Sequence, residues 1–187
     1  MTVAGLAIEA SNRSPIILLR DPSGRRQVPI WINHEQAHNI VAGYQKSEPA
    51  RPLTHDLIVS LLSAGKMQLE RVIINEMGGN SFYALLMIRI TNVIKKNSQK
   101  KSYDLLEIKA RPSDAIALAI RTKCSIWMVE KVFAEASIPV DEKADTQDQD
   151  EFRRFLDDLR PSDLIRHLKK GDQSNENPID FPNSDVK

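Results

Sequence analysis

Apolar and polar residues alternate with a period of two over residues 2–9, 15–20 and 27–32. Short alternating runs this close together predict strands of an antiparallel meander. Asp21-Pro22-Ser23-Gly24 supplies the turn between the second and third, with Pro and Gly where a tight turn needs them. The period then changes. Ala37, Ile40, Val41 and Tyr44 recur at i, i+3, i+4 and i+7, which predicts a helix over 34–45, capped by Asn33 and ended by Ser47-Glu48-Pro49. A second helix opens at Arg51-Pro52-Leu53-Thr54-His55-Asp56, with Thr54 as its cap. Leu57, Ile58, Leu61 and Leu62 form its expected buried stripe, and Gly65 fits the position just past its end.

Strand patterning returns over 67–75 and 81–94, joined by the hairpin signal Met77-Gly78-Gly79-Asn80. Residues 95–102 (KKNSQKKS) read as a basic, exposed loop. The chain's central stretch follows, YDLLEIKARPSDAIALAIR over 103–121. Its first part alternates as a strand. Arg111-Pro112-Ser113-Asp114 then turns it into a helix, with Pro in the first turn and Ser113 and Asp114 placed to satisfy free N–H groups. Ala115 to Ile120 are apolar on every side, so this helix is expected to be buried. A short strand over 126–129 and a helix over 130–136 complete a body of residues 1–140.

Beyond it the pattern thins. Residues 137–149 read as a linker, Phe152, Phe155, Leu156 and Leu159 as one helical stripe, and 164–169 as a further helix. The polar stretch 171–187 reads as disordered. Residues 1–140 carry 18 Lys and Arg against 12 Asp and Glu, whereas 141–187 carry 8 against 13. The expectation is therefore an α+β body with a mostly antiparallel sheet and packed helices, followed by an acidic linker, a short helical extension and a tail over 141–187. Arg-Pro opens three of the expected helices, at Arg51, Arg111 and Arg160; shared capping chemistry explains this adequately, and a duplication of the first two units is the alternative.

Composition narrows the class. With 187 residues, 41% of them hydrophobic, the chain has enough material for one sizeable core. No run reaches the roughly 18 apolar residues of a membrane span. No basic segment precedes an apolar run at the N-terminus, and Cys124 is alone, which excludes an intrachain disulfide framework. A cytoplasmic protein is the expectation.

Four blocks occur in order: Pro29-Ile30-Trp31-Ile32, Arg51-Pro52-Leu53-Thr54-His55-Asp56-Leu57, Phe82-Tyr83-Ala84 and Ala110-Arg111-Pro112-Ser113-Asp114-Ala115-Ile116-Ala117-Leu118-Ala119. Together they resemble the bifunctional nuclease (BFN) family over roughly residues 3–140. The resemblance implies an α+β domain, a tendency to form homo-oligomers, and DNase and RNase activity of the kind reported for plant members. Lys109 stands where the family usually carries an acidic residue, and Gln36 stands near a usual Glu.

The candidate chemistry is phosphodiester hydrolysis, which needs carboxylates to hold a divalent ion or act as base, and cations over the phosphate. Asp56, His55 and Asp114 are the catalytic candidates, and Arg51 and Arg111 the phosphate contacts. Asp56, Asp114, Glu107 and Glu130 are candidate ligands for Mg or Mn, with DNA or RNA as partner. Against this stands the ordinary role of such Asp and Arg residues in closing helix ends. The alternative function is a non-enzymatic oligomeric scaffold or regulatory binding module of the same fold. Arg25, Arg26, Lys95, Lys96, Lys100 and Lys101 offer a basic surface, while Phe82 and Tyr83 read as core rather than stacking platforms. His34-Glu35-Gln36-Ala37-His38 spells the zinc-protease H-E-x-x-H, but no third ligand with a recognisable context follows. Trp31 and Trp127 on strands suggest apolar surface available to a second copy.

Overall fold

The computed structural model describes residues 1–9, 11, 13–44, 51–79, 81–93 and 102–140. The chain divides into two units, Met1–Phe152 and Arg153–Lys187, and every described residue belongs to the first. The extension and tail expected over 141–187, and the basic loop over 95–101, lie outside the described residues.

The first sheet is the expected meander. β1 (Thr2–Ile8), β2 (Pro15–Arg20) and β3 (Arg26–Trp31) pair antiparallel in sequence order. Gly24 takes a φ of 75° in the turn before β3, a conformation that favours glycine. Ile17 and Leu19 on β2 and Val28 on β3 are fully buried, so the meander's core is aliphatic. α1 (His34–Ala42) follows at once, capped by Asn33, whose Oδ1 accepts the Gln36 N–H at 2.8 Å. Gln36 Oε1 returns the bond by accepting the Asn33 N–H at 2.9 Å. Gln36 thus has a capping role that needs no negative charge. Ala37, Ile40 and Val41 are buried as the spacing predicts, whereas Tyr44, just past the helix, is exposed.

The second sheet has strand order β6-β5-β4-β7. β4 (Met67–Gly78) and β5 (Ser81–Val93) form the hairpin, with Gly79 at φ 61° in its turn. β6 (Ser102–Ala110) pairs antiparallel to β5. α3 (Pro112–Thr122) packs over β4 and β5, and β7 (Ser125–Met128) then joins the far side of β4 in parallel. Val72, Ile74, Leu86 and Ile88 on the sheet and Ala115 through Ala119 on α3 are buried, so α3 is the buried helix expected from its all-round apolar sequence. α4 (Glu130–Ala136) and the two-residue β8 (Ile138–Pro139) return the chain to the first sheet, where β8 pairs with β3.

Three local expectations need correction at α2 (Thr54–Ala64). Its N-cap is Leu53, not Thr54, and Asp56 does the capping from inside the first turn by accepting the Leu53 N–H at 2.8 Å. The left-handed residue past its end is Lys66, at φ 54°, not Gly65. At Gly65 the Met67 side chain fills the space a Cβ would take, its Cε lying 2.7 Å from that position. Half of the expected stripe is turned outward: Leu57 and Leu61 are exposed, Ile58 and Leu62 are half-buried, and His55 is the buried residue of this helix. Apolar spacing marks one face of a helix but does not say that a neighbour covers it.

Candidate phosphate site

β6 delivers its last residue, Ala110, to the start of α3, and Arg111 is the N-cap in extended conformation. Contrary to expectation, no side chain caps this helix start by a hydrogen bond. Asp114 turns away from the free N–H groups. It accepts from Arg111 Nε at 2.6 Å and Arg111 Nη2 at 3.0 Å, and lies 3.4 Å from His55 Nε2. The bond from Asp114, and then its charge, raise the Arg111 pKa above the ordinary guanidinium value. Ser113 is 4% exposed and its Oγ has no hydrogen-bond partner among the described residues.

An open cleft of about 660 Å³ lies at this helix start. Its walls are Lys109 to Ser113 on one side, Ser81 to Tyr83 at the start of β5, and Ile30 to Ile32 at the end of β3, with Gln36 beside them. Two cations and a helix N-terminus without side-chain caps thus border one concavity, features that favour an anion, while the Ser113 Oγ is buried beneath its wall. Aromatic surface stands beside it. Trp31 is 54% exposed with its Nε1 donating to Glu9 at 3.2 Å, and Tyr83 is 52% exposed. The expectation that Tyr83 belongs to the core is therefore corrected: Phe82 is half-buried, but Tyr83 faces outward. Alternation alone assigns residues to two faces without saying which one is covered.

The other candidates separate from this cleft. Asp56 accepts from Arg121 Nε at 2.6 Å as well as from the Leu53 N–H. Partial burial pushes its carboxyl pKa up, but the Arg121 and Leu53 hydrogen bonds and the Arg121 charge together hold it below the ordinary value. Arg121 Nη1 also donates to the Asn39 carbonyl at 2.8 Å and the Ala117 carbonyl at 3.1 Å, so Arg121 ties α1, α2 and α3 together. Asp56 is engaged in that tie. His55 is 6% exposed and touches Asp114 rather than open space, and its Nδ1 has no partner among the described residues. Arg51 is exposed and is not among the residues lining the cleft.

Glu107 is exposed on β6 and Glu130 is exposed at the start of α4, just after β7. β6 and β7 are opposite edges of one sheet, three strand spacings or about 14 Å apart. Among the described residues no three His, Cys, Asp or Glu side chains group so as to hold a metal ion. This applies equally to His34 and His38. Of the basic surface residues, Arg26 stacks over Phe133 at 5.5 Å and Arg25 Nε donates to Ser23 at 3.2 Å. Lys95, Lys96, Lys100 and Lys101 fall outside the described residues. Among those residues no helix is long and apolar enough to cross a membrane.

Arg111 and Asp114 stand out in the sequence, whereas nothing local marks Lys109 and Ser113 as lining residues of one cleft or Arg121 as the partner of Asp56. Lys109 shows there only as a departure from a family pattern. No local signal marks Arg121, which meets Asp56 across 65 positions.

The bifunctional nuclease domain matches residues 17–141. Two uncharacterized proteins from two strains of Mycobacterium tuberculosis are each 33% identical over 170 residues, covering 87% of this chain and 95% of their own length.

Proposed function

The chain belongs to the bifunctional nuclease domain family, and on that premise we propose that it is a nuclease-like protein hydrolysing DNA or RNA phosphodiester bonds at the start of α3. The observation that carries this reading is the cleft where Lys109, Arg111 and Ser113 surround an N-terminus with no side-chain cap. A phosphate placed there meets backbone N–H groups and the positive end of the α3 dipole. As the water oxygen bonds to phosphorus, one bridging P–O bond breaks and its oxygen leaves as the alcohol, taking a proton from the water, while negative charge gathers on the non-bridging oxygens. Arg111 and Lys109 are placed to offset it. Asp114 holds Arg111 through Nε and Nη2, leaving the guanidinium's other N–H groups for the phosphate. His55, buried behind Asp114, acts as a positioning residue.

Mg or Mn belongs to this proposal as an ion that travels with the substrate. Such ions commonly use one or two carboxylates plus phosphate oxygens, and the described residues gather no larger ligand set. The exposed rings of Trp31 and Tyr83 are available to stack on unpaired bases.

The second reading is a binding module that holds nucleic acid without cutting it. The burial of His55 favours it, because that leaves no described imidazole in contact with the cleft. Highly purified protein, incubated with single-stranded DNA and RNA with Mg or Mn and with EDTA, separates the two. The nuclease reading expects cleavage that falls at least about a hundredfold in Arg111→Ala and in Asp114→Asn, both still folded. Binding without turnover selects the module. Cleavage that both variants retain in full rejects the cleft as its site.

A further inference from the structure

The cleft at the start of α3 has two unlike halves. Among the described residues that line it, only Lys109 and Arg111 are charged, and both stand where β6 runs into α3. Asp114 already offsets the Arg111 charge, whereas Lys109 is exposed with no ion pair among the described residues. The other walls are mostly apolar, with Trp31 and Tyr83 as their exposed rings. A groove that follows a nucleic-acid strand carries positive charge along its length. This cleft has one cationic end and one aromatic flank.

The two halves lie within one nucleotide's reach. Ala84 pairs with Ala110 and Leu85 with Lys109, so Tyr83 and Lys109 are diagonal neighbours on one face of the sheet, a separation of about 7–8 Å. The Tyr83 ring lies beside Gly78, where a Cβ would stand 3.4 Å from its Cε2, so no side chain at that position covers the ring. Gln36 adds a directed donor. Its Oε1 is taken by the Asn33 N–H, which leaves the amide N–H groups for an acceptor such as a base edge. A volume of about 660 Å³ suits a small ligand.

We propose that the cleft binds a single nucleotide bearing a terminal phosphate, either as the phosphorylated end of a strand or as a free mononucleotide. This rests on reading the cleft as the phosphate site. The phosphate sits against Lys109, Arg111 and the α3 N-terminus, and the base lies on Tyr83 and Trp31. A terminal phosphate is close to doubly charged at neutral pH, so a site with one cationic end favours it over an internal phosphodiester.

The test is calorimetry on the full chain with adenosine, inorganic phosphate, and the 5′ and 3′ adenosine monophosphates. The better monophosphate is expected to bind at least about tenfold tighter than adenosine and than inorganic phosphate, because only it engages both halves. Lys109→Ala should bring its affinity toward that of adenosine, and Tyr83→Ala toward that of phosphate. Both side chains are exposed, and unchanged circular dichroism will show that the fold survives. Oligonucleotides with and without a terminal phosphate identify the source. A phosphorylated oligonucleotide that matches the monophosphate assigns the strand end, and one that binds more weakly assigns the free nucleotide. A monophosphate no tighter than its parts, variants that bind it as wild type does, or an unphosphorylated oligonucleotide that binds where the monophosphate does not would each overturn the proposal. The last result, with cleavage, leaves the nuclease standing without this ligand. Monophosphate binding without cleavage supports the ligand and rejects the nuclease.

Discussion

Arg121 Nε and Asp56 Oδ1 lie 2.6 Å apart, joining the last turn of α3 to the first turn of α2. The guanidinium side chain is 7% exposed, and the carboxylate is open enough to keep some solvent. Replacing Asp56 by Asn leaves a buried cation without its charge partner. We expect a loss of about 2 kcal/mol, less than a fully buried pair would cost. Thermal melts should show Tm lower by about 4–8 °C. A melt within one degree of wild type would show that the pair is not a fold determinant.

The same pair sets a pH dependence. The Asp56 pKa is lowered in the folded chain, so the folded state holds that proton more weakly than the unfolded state does. The stabilisation is present above the unfolded carboxyl value of about 3.9 and is lost as pH falls through the folded value. Wild type should therefore lose more stability than Asp56→Asn between about pH 5 and pH 2 in urea titrations. Parallel pH profiles would contradict the assignment.

Ser113 separates a binding role from a structural one. Its buried hydroxyl has no partner among the described residues, so Ser113→Ala should be neutral or stabilising by up to about 1 kcal/mol. If the hydroxyl serves a bound phosphate, the same change should weaken oligonucleotide binding about fivefold. Calorimetry on both properties is decisive, and an unchanged affinity removes Ser113 from the site.

Tyr83 and Trp31 test the stacking surface. Each ring is more than half exposed, so removing it should cost the fold little. Tyr83→Ala and Trp31→Ala should each weaken binding of single-stranded DNA by about 1–3 kcal/mol per stacked base. Double-stranded DNA, whose bases are not splayed, should respond less. Equal losses on both substrates would point to a general effect on the cleft.

Lys123 closes α3 at φ 55°, in the left-handed region. A non-glycine residue there is strained by roughly 1–2 kcal/mol. Lys123→Gly should therefore raise stability, by about 0.5–1 kcal/mol after its extra chain entropy is counted. A denaturation midpoint that falls would refute this.

Much of the fold is decided locally, and local rules read it. The meander, the Asn33 cap, the Gly79 turn and the abrupt start of α3 at Pro112 follow from period, turn residues and caps that act over four or five positions. The burial of α3 was equally legible, because a helix apolar on every side has no other stable place. The sequence by itself also marked Arg111 and Asp114 as a charged pair at a helix start. Only the tertiary structure decided what those charges do. Asp56 and Asp114 hold the same position in two similar helix starts, yet Arg121 takes one and Arg111 and His55 take the other. That division depends on how α2 lies against α3, with partners 65 and 59 positions apart. The cleft, the outward turn of Leu57 and Leu61, and the exposure of Tyr83 have the same origin. Periodicity determines which residues share a face, but burial depends on what long-range packing places against that face.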